Sequence, residues 1–330
     1  MSVPVIDLSA ARGGAAARRR LAAAIDDACR DVGFFVLDGH GVPARLVHDL
    51  RAVAHAFFSL PAGAKLAARH PVPGTNRGYH PAGGEALSFA NDAPAPPDLK
   101  EFFHVGPVDV GDDVYYTSAE GRRHFTPNIW PTTPPGFERA ATVYYRAMSE
   151  LVRDLMRLAA LALDVEETFF DAKVDRSIGT MRLNYYPAQV DRPASGQLRA
   201  GAHTDYGGFT ILSGEDVPGG LQIFTRDGRW VDVGTSPMRF VVNIGDLMRW
   251  TNDRWLSSLH RVVNPPAGNG RPRLSIAFFN HPNYDITIEC LASQGPARHP
   301  PVRSGDYRDL KYAKTGMSVD VAGPETSPPR

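Results

Sequence analysis

Thr180-Met181-Arg182-Leu183-Asn184-Tyr185-Tyr186 begins a series of short apolar and aromatic runs that fills the second half of this 330-residue chain. Comparable runs follow at residues 209–212, 221–224, 240–244 and 274–279. Glycine, proline, asparagine or aspartate lies between them, as is typical of short strands joined by turns. The pattern predicts an antiparallel β-sandwich or β-barrel.

The first half of the chain has the spacing of helices instead. Apolar residues three or four positions apart predict helices over 21–32 and 46–57, with a strand at 33–37 between them. A longer helix is predicted after Pro134-Pro135, because proline suits the first turn of a helix. Its predicted buried face consists of Tyr144, Met148, Leu151, Leu155, Leu158 and Ala162.

Residues 71–97 are rich in proline and glycine, which favours an irregular segment that could act as a lid. The last dozen residues have too little apolar surface to offset the entropy lost on ordering, which predicts a frayed tail. We therefore expect four parts: an N-terminal α/β region at 1–132, a long helix and connector at 133–176, a β core at 177–290, and a C-terminal helix with a flexible tail at 291–330.

The charge balance argues against a nucleic-acid or membrane partner. Lysine and arginine number 36 and aspartate and glutamate number 36, so no basic stripe can follow a phosphate backbone. The N-terminal residues lack a signal-peptide pattern, and no apolar run approaches the length that spans a membrane. Two cysteines, Cys29 and Cys290, are too few for a disulfide framework. We expect a cytoplasmic protein that acts on a small molecule as a monomer or weak homodimer.

His203-Thr204-Asp205 offers two candidate metal ligands. In an extended backbone, positions i and i+2 lie on the same side, so the imidazole and the carboxylate could bind one ion. The triplet alone gives weak support. With 11 histidines, a chain of this acid content contains about one His-x-acid triplet by chance.

His260 offers a third ligand, from residues 255–263, which are predicted to form a strand of the same sheet region. Two imidazoles and one carboxylate form the facial triad of non-haem Fe(II) oxygenases, which leaves three coordination positions for a co-substrate and O2. A structural zinc site would instead be closed. A buried histidine can also be an ordinary core residue, so the triad needs further support.

Arg273-Leu274-Ser275 provides that support, because its guanidinium and hydroxyl share a strand face and could bind one carboxylate. Fe(II) with one aspartate has charge +1, dianionic 2-oxoglutarate adds −2 and Arg273 adds +1, and a neutral assembly tolerates burial. Arg182, Asn184 and Tyr186 also share one strand face. Tyr186 could donate its hydroxyl to the same anion or simply belong to an aromatic strand.

The chain contains, in this order, Asn-x-Tyr-Pro, His-x-Asp, a distant His and Arg-x-Ser. With this series of motifs it resembles the isopenicillin N synthase-like family of iron and 2-oxoglutarate dependent oxygenases. The resemblance covers nearly the whole chain. Further motifs similar to those of the family are Pro4-Val5-Ile6-Asp7-Leu8, Gly33-Phe34-Phe35, Phe57-Phe58-Ser59-Leu60-Pro61, Arg77-Gly78-Tyr79, Asp98-Leu99-Lys100-Glu101, Asn128-Ile129-Trp130-Pro131, Gly219-Gly220-Leu221-Gln222 and Phe278-Phe279-Asn280-His281-Pro282.

The resemblance implies a mainly β fold with flanking helices. A double-stranded β-helix, which is a cupin-like jelly roll, would form the core beside an N-terminal α/β region and a long backbone helix. The implied reaction uses O2 and decarboxylates 2-oxoglutarate to succinate while a substrate is hydroxylated, desaturated or cyclised. The implied Fe(II) ligands are His203, Asp205 and His260. The implied 2-oxoglutarate site consists of Arg273, Ser275, Tyr186 and Asn184.

Two alternatives stay open on these patterns. An oxidase of the same family needs no 2-oxoglutarate, because its Arg-x-Ser pair binds the substrate's own carboxylate. A jelly-roll binding protein without catalytic activity is the alternative from another class.

The substrate is less defined than the co-substrate. We expect a small, largely apolar compound of specialised metabolism, such as antibiotic biosynthesis. Candidate substrate contacts are Phe102, His104 and Arg182. Each has an equally good structural explanation. Phe102 could simply pack in the core, His104 could be exposed at the surface, and Arg182 could form a structural ion pair.

Overall fold

The computed structural model describes residues 3–88, 96–189, 192–266 and 270–315. Within these residues, two β-sheets line one cavity and helices pack against the larger sheet. The predicted tail lies outside the described part of the chain.

Eight strands form the larger sheet. They are β1 (Val5–Asp7), β2 (Phe34–Asp38), β3 (Gly78–His80), β4 (Glu101–Val105), β5 (Thr180–Tyr186), β7 (Phe209–Ser213), β10 (Phe240–Ile244) and β12 (Arg273–Phe279). Their order across the sheet is β1-β2-β10-β7-β12-β5-β4-β3. Every neighbouring pair except β1 with β2 is antiparallel, which confirms the pairing predicted from the short runs.

The smaller sheet has four antiparallel strands. They are β6 (Ala200–His203), β8 (Leu221–Phe224), β9 (Trp230–Val233) and β11 (His260–Val262). Their order is β6-β11-β8-β9. A separate antiparallel pair joins β13 (Thr287–Ile288) to β14 (Val302–Arg303).

The α-helices lie mainly in the first half of the chain. They are α1 (Ala15–Asp31), α2 (Ala44–Phe58), α3 (Ala62–Leu66), α4 (Val114–Thr117), α5 (Ala119–His124), α6 (Phe137–Ala162), α7 (Asp171–Val174) and α8 (Ser304–Lys314). Short 3-10 helices span Leu8–Arg12, Asp246–Thr251 and Ala292–Gln294. In the part of the chain that is described, no helix combines the length and apolar character needed to cross a membrane.

One large hydrophobic core joins the helices to the larger sheet. The predicted face of α6 is buried along its length, and Met148 and Leu155 are fully inaccessible. Helices α1 and α2 pack against α6. Phe35 of β2 and Phe103 of β4 belong to the same core. Burial of apolar side chains is the main favourable term in folding, so this core holds the larger sheet rigid behind the cavity.

The proline-rich segment 71–97 is more regular than predicted. It contains β3, which pairs with β4, although residues 89–95 lie outside the described part of the chain. Gly78 begins this strand with φ of 72°, where a Cβ would stand 2.2 Å from the main-chain oxygen of Ala68. Only glycine allows the backbone at position 78 to come this close to Ala68. The sequence pattern did not predict that residues 78–80 form a strand paired with β4.

The strand predicted over 255–263 is shorter in the structure, because β11 contains only His260–Val262. Residues before β11 instead form hydrogen bonds with α1 and with Val32, which follows α1. The indole N–H of Trp255 donates to the carboxylate of Asp26 at 2.7 Å, and the hydroxyl of Ser258 donates to the main-chain oxygen of Val32 at 2.8 Å. These side-chain bonds connect the segment before β11 to the end of α1 and to Val32.

Phe57 on α2 gives a test of the core that supports the larger sheet. Its ring is fully buried and lies 5.2 Å from the ring of Phe103 and 5.5 Å from that of Phe137. Phe57→Ala should lower the free energy of unfolding by about 3–5 kcal/mol, since it leaves a cavity. Val143→Ala on the exposed side of α6 is the control and should change it by less than about 0.5 kcal/mol. Denaturant unfolding measures both, and equal effects would contradict this view of the core.

Candidate metal and co-substrate site

Two histidines meet because β6 and β11 are neighbours in the smaller sheet. His203 at the end of β6 lies directly opposite His260 at the start of β11, with 4.3 Å between the ring centres. Oδ1 of Asp205 lies 3.9 Å from Nε2 of His203 and 3.7 Å from Nε2 of His260. One ligand atom of each residue lies within 4.8 Å of the others, so the three could hold one metal ion.

Asp205 is not on a strand, contrary to the expectation of an extended His-x-Asp triplet, because β6 ends at His203. Residues at the end of β10 position it instead. The Asn243 side-chain amide donates to Oδ2 of Asp205 at 2.7 Å, and the main-chain N–H of Asp246 donates to its main-chain oxygen at 2.8 Å. With Oδ2 engaged, Oδ1 is the oxygen closest to both imidazoles.

Each histidine is oriented by a carbonyl two residues earlier. Nδ1 of His203 lies 2.7 Å from the oxygen of Gly201, and Nδ1 of His260 lies 3.1 Å from the oxygen of Ser258. A carbonyl can only accept, so each Nδ1 carries the hydrogen and each Nε2 keeps a lone pair for a metal. Burial and then His260 lower the pKa of His203 to about 3, so that ring is neutral near pH 7.

Arg273 lies on another wall of the same cavity. The side chain is 1% exposed, and none of its three guanidinium nitrogens has a hydrogen-bond partner among the described residues. Burial lowers the pKa of Arg273. A buried cation without acceptors is costly, and a carboxylate would supply them in a bidentate arrangement.

The pairing of β5 with β12 places the other predicted co-substrate residues around Arg273. Tyr186 is directly opposite Arg273, and Asn184 is directly opposite Ser275. Residues directly opposite one another share a sheet face, and all four line the cavity that also contains the triad. Oδ1 of Asn184 is a further buried atom without a hydrogen-bond partner in the described chain.

The three predicted substrate contacts lie close together on β4 and β5, but of the three Arg182 alone lines the cavity. Arg182 lines the cavity, and its guanidinium carbon lies 4.4 Å from the centre of the Phe102 ring. Phe102 and His104 are buried on β4 and are not among the cavity-lining residues. Arg182 also forms a buried ion pair with Glu85 at 2.9 Å.

Sequence reasoning did not single out several residues that line the cavity. They are Leu87, Lys100, Tyr206, Asn243, His281 and Tyr312. Asn243 could have been noticed in the sequence, because it is the one polar residue in the apolar run 240–244. Tyr312 could not, because only the fold brings α8 back to the cavity.

Two family models match the chain. Residues 3–133 match a model described as non-haem dioxygenase in morphine synthesis N-terminal, and residues 177–282 match the 2OG-Fe(II) oxygenase superfamily. A 2-oxoglutarate-Fe(II) type oxidoreductase of Emericella nidulans, hxnY, is 36% identical over 314 residues, which are 92% of this chain and 87% of the relative. The chain belongs to the 2-oxoglutarate-Fe(II) oxygenase family.

Another relative and a solved structure agree. Validamycin A dioxygenase of Streptomyces hygroscopicus subsp. limoneus is 33% identical over 315 residues, which are 92% of this chain and 84% of that enzyme. A full-length Neurospora crassa protein, crystallised with alpha-ketoglutarate (2-oxoglutarate) and thymine, superposes with a TM-score of 0.81 at 30% identity, and the match covers 94% of this chain and 96% of that one. The predicted family, jelly-roll fold class, enzymatic activity and cofactors are thereby confirmed.

The residues of this 2-oxoglutarate-Fe(II) oxygenase suit both groups that its family uses. Two imidazoles and one carboxylate match the donor preference of Fe(II). The unpaired guanidinium of Arg273 matches a carboxylate of 2-oxoglutarate.

Helix α8 contributes Tyr312 to the cavity, and Asp246 anchors this helix. Oδ2 of Asp246 accepts from the Tyr307 hydroxyl at 2.8 Å and pairs with Nζ of Lys311 at 3.0 Å, while its N–H bonds to Asp205. Asp246→Ala should weaken α8 docking by about 1.5–3 kcal/mol. Amide hydrogen exchange in α8 should then accelerate at least about tenfold. Asp306→Ala, on the exposed side of α8, is the control, and equal protection in both variants would contradict this anchoring role.

Proposed function

We propose that this enzyme holds Fe(II) with His203, Asp205 and His260, binds the far carboxylate of 2-oxoglutarate with Arg273 and Ser275, and hydroxylates a small organic molecule. One observation carries the proposal. A buried guanidinium without acceptors in the described chain shares a cavity with a triad of metal ligands.

With both groups bound, the centre activates O2 and couples decarboxylation of 2-oxoglutarate to succinate and CO2 with oxidation of a substrate C–H bond. The chain's residues orient and shield this centre. The carbonyls of Gly201 and Ser258 fix the two imidazole rings, and Asn243 fixes the carboxylate of Asp205. The Phe34 ring packs edge-on against His260, with 5.4 Å between the ring centres, and gives that imidazole an apolar neighbour.

Tyr186 and Asn184 complete the proposed co-substrate site. Tyr186 faces Arg273 across the ladder and can donate its hydroxyl to the carboxylate that Arg273 binds. The side-chain amide of Asn184 can donate a hydrogen bond to a carboxylate or keto oxygen of 2-oxoglutarate. The polar groups on β5 and β12 would therefore fix one end of 2-oxoglutarate while the other end reaches the metal.

The reaction and setting are proposed by analogy with the relatives. Hydroxylation is the default outcome, and desaturation or cyclisation uses the same residues. A role in specialised metabolism is consistent with a relative that acts on validamycin A. We further propose a cytoplasmic monomer or weak homodimer without a nucleic-acid or membrane partner, consistent with the zero formal charge.

Spectroscopy of the Fe(II) protein tests the metal assignment. Anaerobic addition of 2-oxoglutarate should give a visible charge-transfer band, and turnover should form one succinate per oxygen atom added to substrate. His203→Ala should lower Fe(II) affinity at least about 100-fold and abolish the band, because it removes one of three ligands. His48→Ala, at an exposed position of α2, is the control and should bind Fe(II) normally.

Other outcomes of that experiment select the alternatives. Oxygen consumption without the band and without succinate would indicate an oxidase that needs no 2-oxoglutarate. Absence of both Fe(II) binding and oxygen consumption in the unmodified protein would indicate a binding protein.

Arg273→Met separates a co-substrate role from a structural one. It should lower 2-oxoglutarate affinity by about 10- to 100-fold, because it removes a charge-assisted hydrogen-bond donor. The melting temperature without 2-oxoglutarate should change little, since the guanidinium has no hydrogen-bond partner to lose among the described residues and methionine keeps an apolar side chain beside the Tyr186 ring, which lies 5.4 Å from the guanidinium carbon. Arg271→Met, two positions away and exposed, is the control. A marked loss of stability with unchanged 2-oxoglutarate binding would contradict the proposed role.

A further inference from the structure

Lys100 presents an ammonium group to the cavity, and the proposed function does not use it. Its Nζ lies 2.8 Å from Glu85 and 2.9 Å from Asp98, and all three residues are at most 5% exposed. The two carboxylates are not among the cavity-lining residues, so they hold Lys100 from behind. An ammonium group has three hydrogens to donate, and two acceptors among the described residues leave one hydrogen for a ligand.

Asp98 fixes this ammonium group relative to the metal ligands. Its Oδ2 accepts from Nζ of Lys100 at 2.9 Å, and its Oδ1 accepts from the main-chain N–H of Gly201 at 2.9 Å. The carbonyl oxygen of Gly201 lies 2.7 Å from Nδ1 of His203, which it orients. One carboxylate therefore joins Lys100 to the strand that carries a metal ligand, so this donor is held in place before a substrate arrives.

Tyr206 supplies a second donor to the same cavity. Its hydroxyl is buried and has no hydrogen-bond partner among the described residues. Burial and then Glu85 raise the pKa of this hydroxyl, so Tyr206 lies near the carboxylate that contacts Lys100. The residue directly follows the metal ligand Asp205, which places its side chain beside the reaction centre.

The charged groups that this part of the cavity offers to a substrate are cations. Outside the proposed metal and co-substrate sites, the charged side chains among the described lining residues are Lys100 and Arg182. Arg182 is paired with Glu85 at 2.9 Å. Among the same lining residues, Asp205 is the carboxylate, and it is already assigned to the metal. The cavity therefore presents hydrogen-bond donors that await an acceptor.

We propose that Lys100 and Tyr206 form a substrate subsite that binds an oxygen acceptor of the primary substrate, which is either a carbonyl oxygen or a carboxylate oxygen. This inference rests on the proposed function, since it concerns the substrate of the same cavity. The ammonium group and the hydroxyl both donate to this oxygen, and Asp98 and Glu85 hold the ammonium group in position. A carbonyl and a carboxylate share this chemistry, and binding measurements distinguish them.

The physical reason is the cost of leaving buried donors unused. A substrate with an apolar group at this position would displace water from both donors and give them no acceptor in return. A substrate oxygen would satisfy both donors. Sites that donate a hydrogen bond to a substrate therefore reject analogues without the acceptor more strongly than sites that measure shape alone.

Binding of matched compounds to the anaerobic Fe(II) and 2-oxoglutarate holoenzyme tests the proposal. Each set in the panel has one ring or chain skeleton that carries a carboxylate, a primary carboxamide or an isopropyl group of similar shape at the same position. Dissociation constants are measured by calorimetry with saturating 2-oxoglutarate, so that Arg273 is occupied. A retained charge-transfer band identifies compounds that bind beside the co-substrate and do not displace it.

In the set that binds most tightly, the better oxygen-bearing member should bind at least about tenfold tighter than the isopropyl member. Preference for the carboxylate would support an anionic acceptor, and preference for the carboxamide would support a neutral carbonyl. Equal or tighter binding of the isopropyl member, or the absence of any oxygen-bearing binder, would overturn the proposal.

Tyr206→Phe and Lys100→Met test the two donors. Each variant should weaken binding of the oxygen-bearing member about tenfold and change that of the isopropyl member less than about twofold, because only the oxygen uses the donor. A merely structural role would weaken both members alike. An unchanged ratio of the two affinities in either folded variant would overturn the subsite.

Two matched controls exclude general effects of these changes. Tyr185→Phe removes a hydroxyl from a tyrosine that does not line the cavity, and Lys65→Met removes a buried lysine that pairs with Glu101 at 2.7 Å away from the cavity. Both should leave the ratio unchanged. If Lys100→Met does not fold, Tyr206→Phe and the panel decide. The charge-transfer band tests the proposed function independently, so a normal band with an unchanged ratio rejects only the substrate subsite.

Discussion

Arg273 carries a positive charge inside the protein, and the described residues provide no hydrogen-bond acceptor for it. Other buried arginines differ. Arg51 pairs with Glu215 at 2.7 Å, and Arg199 donates to three main-chain oxygens. An unpaired buried charge costs several kcal/mol, which a protein tolerates where a ligand completes the site. In the proposed function, an anion that also reaches the metal ligands supplies the missing acceptor, and the cavity must place both groups within its reach.

The two sheets meet the requirement separately. The larger sheet presents Arg273 and Ser275 on β12, and the smaller sheet presents His203 and His260 on adjacent strands. Neither sheet alone contains both halves of the site. Asp205 lies just beyond the smaller sheet and is held by Asn243 of the larger one, so the hydrogen bond between them also connects the metal ligands to the larger sheet. Packing and metal geometry are therefore coupled through one amide group.

Residue patterns predicted the parts of the site that depend on strand alternation. Arg273 with Ser275, and Asn184 with Tyr186, were placed on shared faces from their i, i+2 spacing, and the register of β5 with β12 confirms that placement. The same rule placed the Asp205 carboxylate beside His203, which the structure confirms, although β6 ends at His203 and a hydrogen bond from Asn243 holds the carboxylate. The rule describes a regular strand and contains no information about long-range bonds.

The buried ion pairs of Lys100 with Glu85 and Asp98 were missed for a related reason. Lys100 was noted only as part of a motif, and Glu85 lies in a segment expected to be irregular. Their contact is 2.8 Å although the two residues belong to different parts of the chain. A charged residue in a polar segment is usually solvated, so sequence alone favours a surface position. Its burial depends on long-range contacts, which composition does not determine.

The strand β5 also sets the distance between the proposed co-substrate contact at Tyr186 and the candidate substrate contact at Arg182. Tyr186 faces Arg273 at one end, and Arg182 faces Ala277 four residues away, which at about 3.3 Å per residue separates the two positions by roughly 13 Å. Both side chains lie in the cavity only because the separation is an even number of residues. A shift of one residue in this ladder would turn the whole set away from the cavity. The buried core behind the larger sheet opposes such a shift. The stability of the fold and the spacing of the proposed co-substrate and substrate contacts therefore depend on the same register of β5 with β12.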